Sequence, residues 1–131
     1  MAIELQGFKF TAIAGESLAA SQYHFVKLSA NMTVITCAAA ADIPCGVLQN
    51  NPPINGAAEV MVFGITKIIG ANLAAGNLIG THTDGTAVVI DPDGVGDLYY
   101  VGQVVIGTGA GATEVASALV NCATPVIQSG S

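Results

Sequence analysis

The residues of this 131-residue chain whose types could do chemistry are few, and the densest group is Asp91-Pro-Asp93-Gly-Val-Gly-Asp97. Carboxylates set among glycines are an oxygen donor set of the kind a calcium ion takes, so Asp91, Asp93 and Asp97 are the candidate metal ligands. The stretch departs from an EF-hand loop, because no glutamate stands at the twelfth position and no helix is predicted on either side. Asp and Gly are also what a solvent-exposed hairpin turn prefers, which is the plainer account of the same residues.

Other chemistry has less support. The glycines of Gly107-Thr-Gly109-Ala-Gly111 lack the Lys-Ser/Thr of a phosphate-binding loop and read as a connection between two strands. His24 alternates with Val26 and Leu28 and is expected on an apolar strand face, while His82 stands beside the turn Thr83-Asp84-Gly85. Neither has a His, Cys or carboxylate at a metal-ligand spacing. A Ser-His-Asp or Cys-His set assembles from distant positions and cannot be counted out from composition. No nucleophile elbow is visible, however, and with charged residues at 9% few groups are present to tune one another. The expectation is a protein that is not an enzyme and holds no cofactor.

The elements that would position these residues are strands. Runs rich in β-branched and aromatic residues alternate with turn formers at close intervals, which predicts an all-β barrel or sandwich. Expected strands are Phe8 to Ile13, Tyr23 to Ser29, Thr33 to Cys37, Cys45 to Leu48, Ala58 to Phe63 and Thr66 to Ile69 in the first part of the chain. Leu78 to Thr81, Ala87 to Ile90, Leu98 to Ile106 and Glu114 to Cys122 follow. Glu16 to Gln22 and Asn72 to Gly76 are each long enough for about one helical turn.

Several of these strands are apolar on both faces. In Val60-Met-Val-Phe63, alternation puts Val60 and Val62 on one side and Met61 and Phe63 on the other, and all four favour burial. Either a second layer within the chain or an interface with another copy or partner must cover the second face. The composition agrees: at 52% hydrophobic the chain has too little charge to coat itself, well under the roughly 25% charged of an ordinary domain.

The chain also matches itself at an offset of 55 residues: Gly15 with Gly70, Leu18-Ala-Ala20 with Leu73-Ala-Ala75, and Glu59-Val60 with Glu114-Val115. Two copies of one β-unit, about 8–62 and 63–118, would build one pseudo-symmetric domain over residues 1–131, with 1–7 as an extended arm. Chance similarity in an Ala- and Gly-rich sequence is the alternative.

The remaining features exclude partners. The net charge is −6, with Lys9, Lys27 and Lys67 as the only cations besides histidine, so no basic track exists for nucleic acid. No run reaches about 18 apolar residues, and the start Met1-Ala-Ile-Glu-Leu-Gln6 lacks the features of a signal peptide. No membrane partner and residence in the compartment of synthesis are expected. Cys37, Cys45 and Cys122, odd in number and without a C-x-x-C pair, suit reduced buried thiols; a Cys37 to Cys45 bridge across a hairpin is the alternative.

Three stretches carry a family resemblance: Ala14-Gly-Glu-Ser-Leu-Ala-Ala-Ser-Gln-Tyr-His-Phe-Val-Lys-Leu28, Pro44-Cys-Gly-Val-Leu-Gln-Asn-Asn-Pro52, and Ala57-Ala-Glu-Val-Met-Val-Phe-Gly-Ile-Thr-Lys67 followed by Leu73-Ala-Ala-Gly-Asn-Leu78. Over most of residues 8 to 120 the chain resembles the phage-encoded family often labelled capsid cement, or decoration, proteins. Asn77 stands where that family commonly has an acidic residue. The resemblance implies a β-barrel-like structural protein on the outside of a bacteriophage capsid, made in the host cytoplasm and bound to the major capsid protein. It carries over no catalytic residue. A homo-oligomer is the expectation from the two-faced strands, with a trimer taken from the geometry of capsid sites and not from the residues. If the resemblance holds, contacts come from the N-terminal arm and a loop tip: Ile3, Leu5 and Phe8, with Asn50, Asn51, Pro52, Pro53 and Ile54. The alternative from another class is a small β-barrel binding a carbohydrate or other small ligand, against which the absence of Trp counts.

Overall fold

Strands form where β-branched and aromatic residues run between turn formers. In chain order they are β1 (Phe8–Ala14), β2 (Phe25–Ala30), β3 (Thr33–Thr36), β4 (Gly46–Leu48), β5 (Ala57–Ile69), β6 (Leu78–Thr81), β7 (Ala87–Val89), β8 (Tyr99–Tyr100), β9 (Gly102–Ile106), β10 (Val115–Asn121) and β11 (Val126–Ile127). The computed structural model describes residues 7–94, 96–111 and 113–128, so Ile3 and Leu5 lie outside the described residues. Among these residues no helix forms, and the fold is all-β.

The first five strands close into a barrel in the order β1-β3-β2-β4-β5, with β1 returning antiparallel to β5 so that Phe10 lies opposite Val60 and Ala12 opposite Ala58. Closure leaves no unpaired edge in this half. Leu18, Val26, Val34, Leu48 and Val60 fill its interior. β5 then runs on into the second half, where β10 pairs with it from Ile69 opposite Val115 to Phe63 opposite Asn121. The order there is β5-β10-β9-β6-β7, and a parallel bridge from Gly70 to Ala87 brings β7 back to the end of β5. Ile68, Leu73, Ile79, Val104 and Val120 fill that core.

The pairings of the two halves correspond step by step. Ala14 lies parallel beside Val34 as Gly70 lies beside Ala87. Val26 faces Gly46 as Ile79 faces Gly102, and Leu48 faces Val60 as Val104 faces Ala118. The linking hydrogen bonds correspond as well. The Tyr23 amide donates to the Leu48 carbonyl at 2.7 Å and the Gly76 amide to Val104 at 2.8 Å; the Cys37 amide donates to Phe25 as the Ile90 amide does to Leu78. Gly46 and Gly102 are matched for a steric reason. A Cβ on Gly46 would strike Val60 Cγ1 and the Met61 carbonyl, and one on Gly102 would lie 2.7 Å from the Leu119 carbonyl. In this register Glu59 corresponds to Ser117 rather than to Glu114. The offset between partners drifts along the chain because the loops of the two halves differ in length.

Three adjacent residue pairs show how the halves join. Val26, Leu48 and Val60 point into the first core, while their neighbours Phe25, Val47 and Met61 pack with the second. At Phe25, Val47 and Met61 the second apolar face of β2, β4 and β5 is therefore covered from within the chain.

Several local expectations change. β5 is one strand of 13 residues, not two, because Gly64 at φ +140° keeps the strand running where Gly7 approaches it closely. The expected strand Leu98 to Ile106 divides: Tyr99–Tyr100 pairs with β11 in a separate ribbon, and Gly102–Ile106 joins the main sheet. The two stretches long enough for one helical turn, Glu16 to Gln22 and Asn72 to Gly76, are loops. The Leu18 amide donates to the Pro52 carbonyl and the Leu73 amide to the Thr108 hydroxyl, and Asn72 has a left-handed φ of +58°. The three cysteines are free thiols, so the Cys37 to Cys45 bridge is not formed. Burial pushes the Cys37 thiol up to about 12, against a hydrogen bond with Thr81 that acts the other way, and the Cys45 thiol up to about 11.

Candidate functional site

The residues nominated for chemistry are taken up by the fold. Asp91 Oδ1 accepts the Asp93 amide at 2.9 Å and the Asp91 carbonyl accepts the Gly94 amide, the bonds of a turn. Among the described residues no group of three or more His, Cys, Asp or Glu side chains is placed to hold a metal ion, and Asp91, Asp93 and Asp97 all face solvent. His82 Nδ1 stands 3.7 Å from Asp84 Oδ1. That carboxylate already accepts the Thr86 hydroxyl at 2.6 Å and the Thr86 amide, and these bonds hold it below the usual carboxylate range against the opposing effect of burial. His24 lies just ahead of β2, with Nδ1 3.1 Å from the Gln22 carbonyl oxygen. The glycine loop is tied down by Glu114, whose carboxylate accepts the Gly111 amide at 2.6 Å, and by the Thr108 hydroxyl, which donates to the Gly70 carbonyl.

The nominated contact residues divide between the two ends of β1. Phe8, 67% exposed, opens the strand opposite Phe63; the loop of Asn50 to Ile54 lies at the other end, where the Asn55 amide donates to the Ala14 carbonyl. Seven strand residues separate them by roughly 20 Å, so they form two surfaces rather than one. Within the loop, Ile54, Asn51 and Pro53 are exposed. Asn50 is occupied with structure: its side-chain amide donates to the Ala57 carbonyl and its oxygen accepts the Glu59 amide. Pro52 is buried, with its carbonyl accepting the Leu18 amide, which removes it from the contact surface predicted for it.

Two apolar surfaces dominate what is exposed. At the first barrel's loop end, Ile13, Leu28, Met32 and Ile54 are all exposed, drawn together where the Ile13 amide donates to the Met32 carbonyl at 2.7 Å. On the second half, Phe63, Leu78, Gly102, Gln103, Leu119 and Val126 line an open groove of about 300 Å³ in which, among the described residues, no lining side chain carries a charge. Exposed apolar patches of this kind are the surfaces on which proteins generally meet partners. Leu28, Met32 and Leu119 were absent from the sequence-based candidates. The available signal was their place on strands and a turn with apolar residues on both faces, which does not say which face stays uncovered.

No protein-family model and no curated protein sequence matches the chain. Among solved structures it is similar to the N base of the head fiber gp8.5 of bacteriophage phi29, with a TM-score of 0.60 and 20% sequence identity. The match covers 88% of this chain and 94% of that one, and what it establishes is a shared fold over nearly the whole of both.

Proposed function

We propose that this chain is a structural protein of a bacteriophage virion that binds the outer surface of the capsid and stabilises the shell by bridging its subunits. The observation that carries this reading is the likeness, across nearly the full length of both chains, to the N base of a phage head fiber. The surface supports it: charged residues are scarce, and apolar side chains stand exposed at opposite ends of β1. A protein that binds only the assembled shell shifts the equilibrium toward that shell, and many identical weak contacts add up over its surface. This reading puts the capsid contacts on Phe8 and on the tip formed by Asn51, Pro53 and Ile54, all of them exposed.

The stabilising role is tested by heating phage heads with and without the added protein and following DNA release. Heads carrying the protein are expected to open at a higher temperature, with the gain reduced by Ile54→Asp. An unchanged opening temperature at saturating protein would remove the role.

A further inference from the structure

The contact between the two halves leaves an unmatched copy of each of its sides on the surface. Inside the chain, one end of the second half, made by Ile69, Thr81 and Gly85, presses on a face of the first barrel made by Tyr23, Phe25, Thr36 and Cys37. The Ile69 amide donates to the Tyr23 carbonyl at 3.0 Å, and the Phe25 amide donates to the Gly85 carbonyl at 2.7 Å. Thr81 and Cys37 are both buried at this contact, and a Cβ on Gly85 would lie 2.6 Å from Thr36 Cγ2. The receiving face also includes Val47 and Met61, fully buried by the contact and packed with the second core.

The register that relates the halves says where each side recurs. Tyr23, Phe25, Val47 and Met61 correspond to Gly76, Leu78, Gln103 and Leu119, three of which line the open groove of the second half. Ile69, Thr81 and Gly85 correspond to Ile13, Leu28 and Met32, the exposed end of the first barrel. One receiving face and one inserting end are used within the chain, and one of each remains.

The two remaining sides fit each other by size. In the internal contact the receiving side is full where Gly85 enters it: a Cβ there would meet Thr36, Phe25 and His24. Outside, the receiving side has room: Gly76 has no atom within 4 Å of where its Cβ would be, while Met32 projects from the turn at 54% exposure. Met32 holds φ +50° where its counterpart Gly85 holds φ +84°, so both turns use the left-handed region at this position. A methionine in the left-handed region at an exposed tip costs the fold about 1–2 kcal/mol and gains nothing from internal packing. Leu28, 55% exposed, replaces the buried Thr81 and makes the free end more apolar than its internal counterpart, as an uncharged groove requires.

We infer that a second copy of this chain docks head to tail, the Leu28 and Met32 end of its first barrel entering the groove bounded by Leu78 and Leu119. Such a contact is heterologous, so it builds a closed ring or an open filament rather than a face-to-face dimer. The inference stands on the internal contact and does not depend on the capsid reading.

The test uses sedimentation velocity on the purified chain, with Met32→Asp and Leu119→Asp as variants. Both positions are exposed, and Asp tolerates the left-handed turn at 32, so circular dichroism is expected to match the parent. The parent is expected to exceed its 13.1 kDa chain mass increasingly with concentration. Each variant alone should associate at least about 10-fold more weakly, since a charge would enter a dry apolar contact. Mixed one to one, the variants should form a dimer and stop there, the intact groove of one taking the intact end of the other. A parent that stays at 13.1 kDa at every concentration, including one that binds only phage heads, would overturn the inference. So would an assembly that either variant leaves intact, or a mixture that stays monomeric while the parent assembles.

Discussion

The amide of Phe25 donates to the carbonyl of Gly85 at 2.7 Å, and this bond ties a strand of the first barrel to a turn of the second half. The Phe25 side chain lies fully buried in the second core while its neighbour Val26 fills the first. The halves therefore share side chains as well as β5, and neither can lose its packing without exposing the other.

One cooperative unfolding transition is expected from this sharing. Phe25→Ala should lower stability by about 3–5 kcal/mol, the cost of emptying a buried aromatic site. Denaturant unfolding followed by tyrosine fluorescence and by circular dichroism should give coincident curves for parent and variant. Two separated transitions would show halves that fold independently.

The matched glycines make a second expectation. Gly46→Ala and Gly102→Ala should each cost about 1–3 kcal/mol, because the added methyl meets a neighbouring strand backbone rather than a flexible side chain. Gly76→Ala meets open space and bears only the left-handed backbone penalty at φ +93°, about 1–2 kcal/mol. Thermal melts of the three variants check this ordering; a Gly76 variant less stable than the Gly46 variant would contradict the packing described.

The thiols set the alkaline limit. Burial raises Cys37 to about 12 and Cys45 to about 11, from 9.0, so the folded chain favours neutral thiols. Their contribution is complete below about pH 9, where the unfolded thiols also keep their protons, and it is lost as pH rises through 9 toward 11 and 12. Urea midpoints should fall over that window, and the fall should shrink in a variant with Ala at all three cysteines. In native protein at pH 8 a disulfide reagent should label the thiols slowly, Cys45 first because it is the least buried. Immediate labelling of all three would contradict the burial.

Ion pairing at Asp42 acts at the other end of the pH scale. Burial opposes its ionisation, but the hydrogen bond from Lys27, with Nζ at 2.9 Å, and the amides of Ala38 and Ala39 outweigh it and lower the carboxyl below 3.8. Its contribution is present above that value and lost as pH falls through the folded one. Asp42→Asn should therefore flatten the acid side of the stability profile; an acid side identical to the parent's would assign the loop's order to other contacts.

Most strands were legible because Val, Ile, Thr and aromatic residues alternate between Gly, Pro and Asn turns. The closure of the first barrel was not, since the pairing of Ala12 with Ala58 joins residues far apart in sequence and of no special type. The correspondence of pairings between the halves was partly legible through Leu18 and Leu73, both buried core residues, whereas Glu59 and Glu114 matched by letter and not by place. β11 escaped because Val126–Ile127 is only two residues long and pairs with an equally short strand. At the surfaces, Phe8 and Ile54 could be nominated as ends and tips, and Pro52 looked the same until its burial was seen. Which face of Met61 and Leu119 is covered depends on the neighbouring half, and no local pattern encodes that.

Sedimentation of the purified chain with empty phage heads, with bound protein measured against total concentration, tests the capsid reading most directly. Binding should saturate at a fixed ratio to the major capsid protein and weaken by at least about 10-fold in Phe8→Asp or Ile54→Asp. A chain left in the supernatant at every concentration would contradict the account.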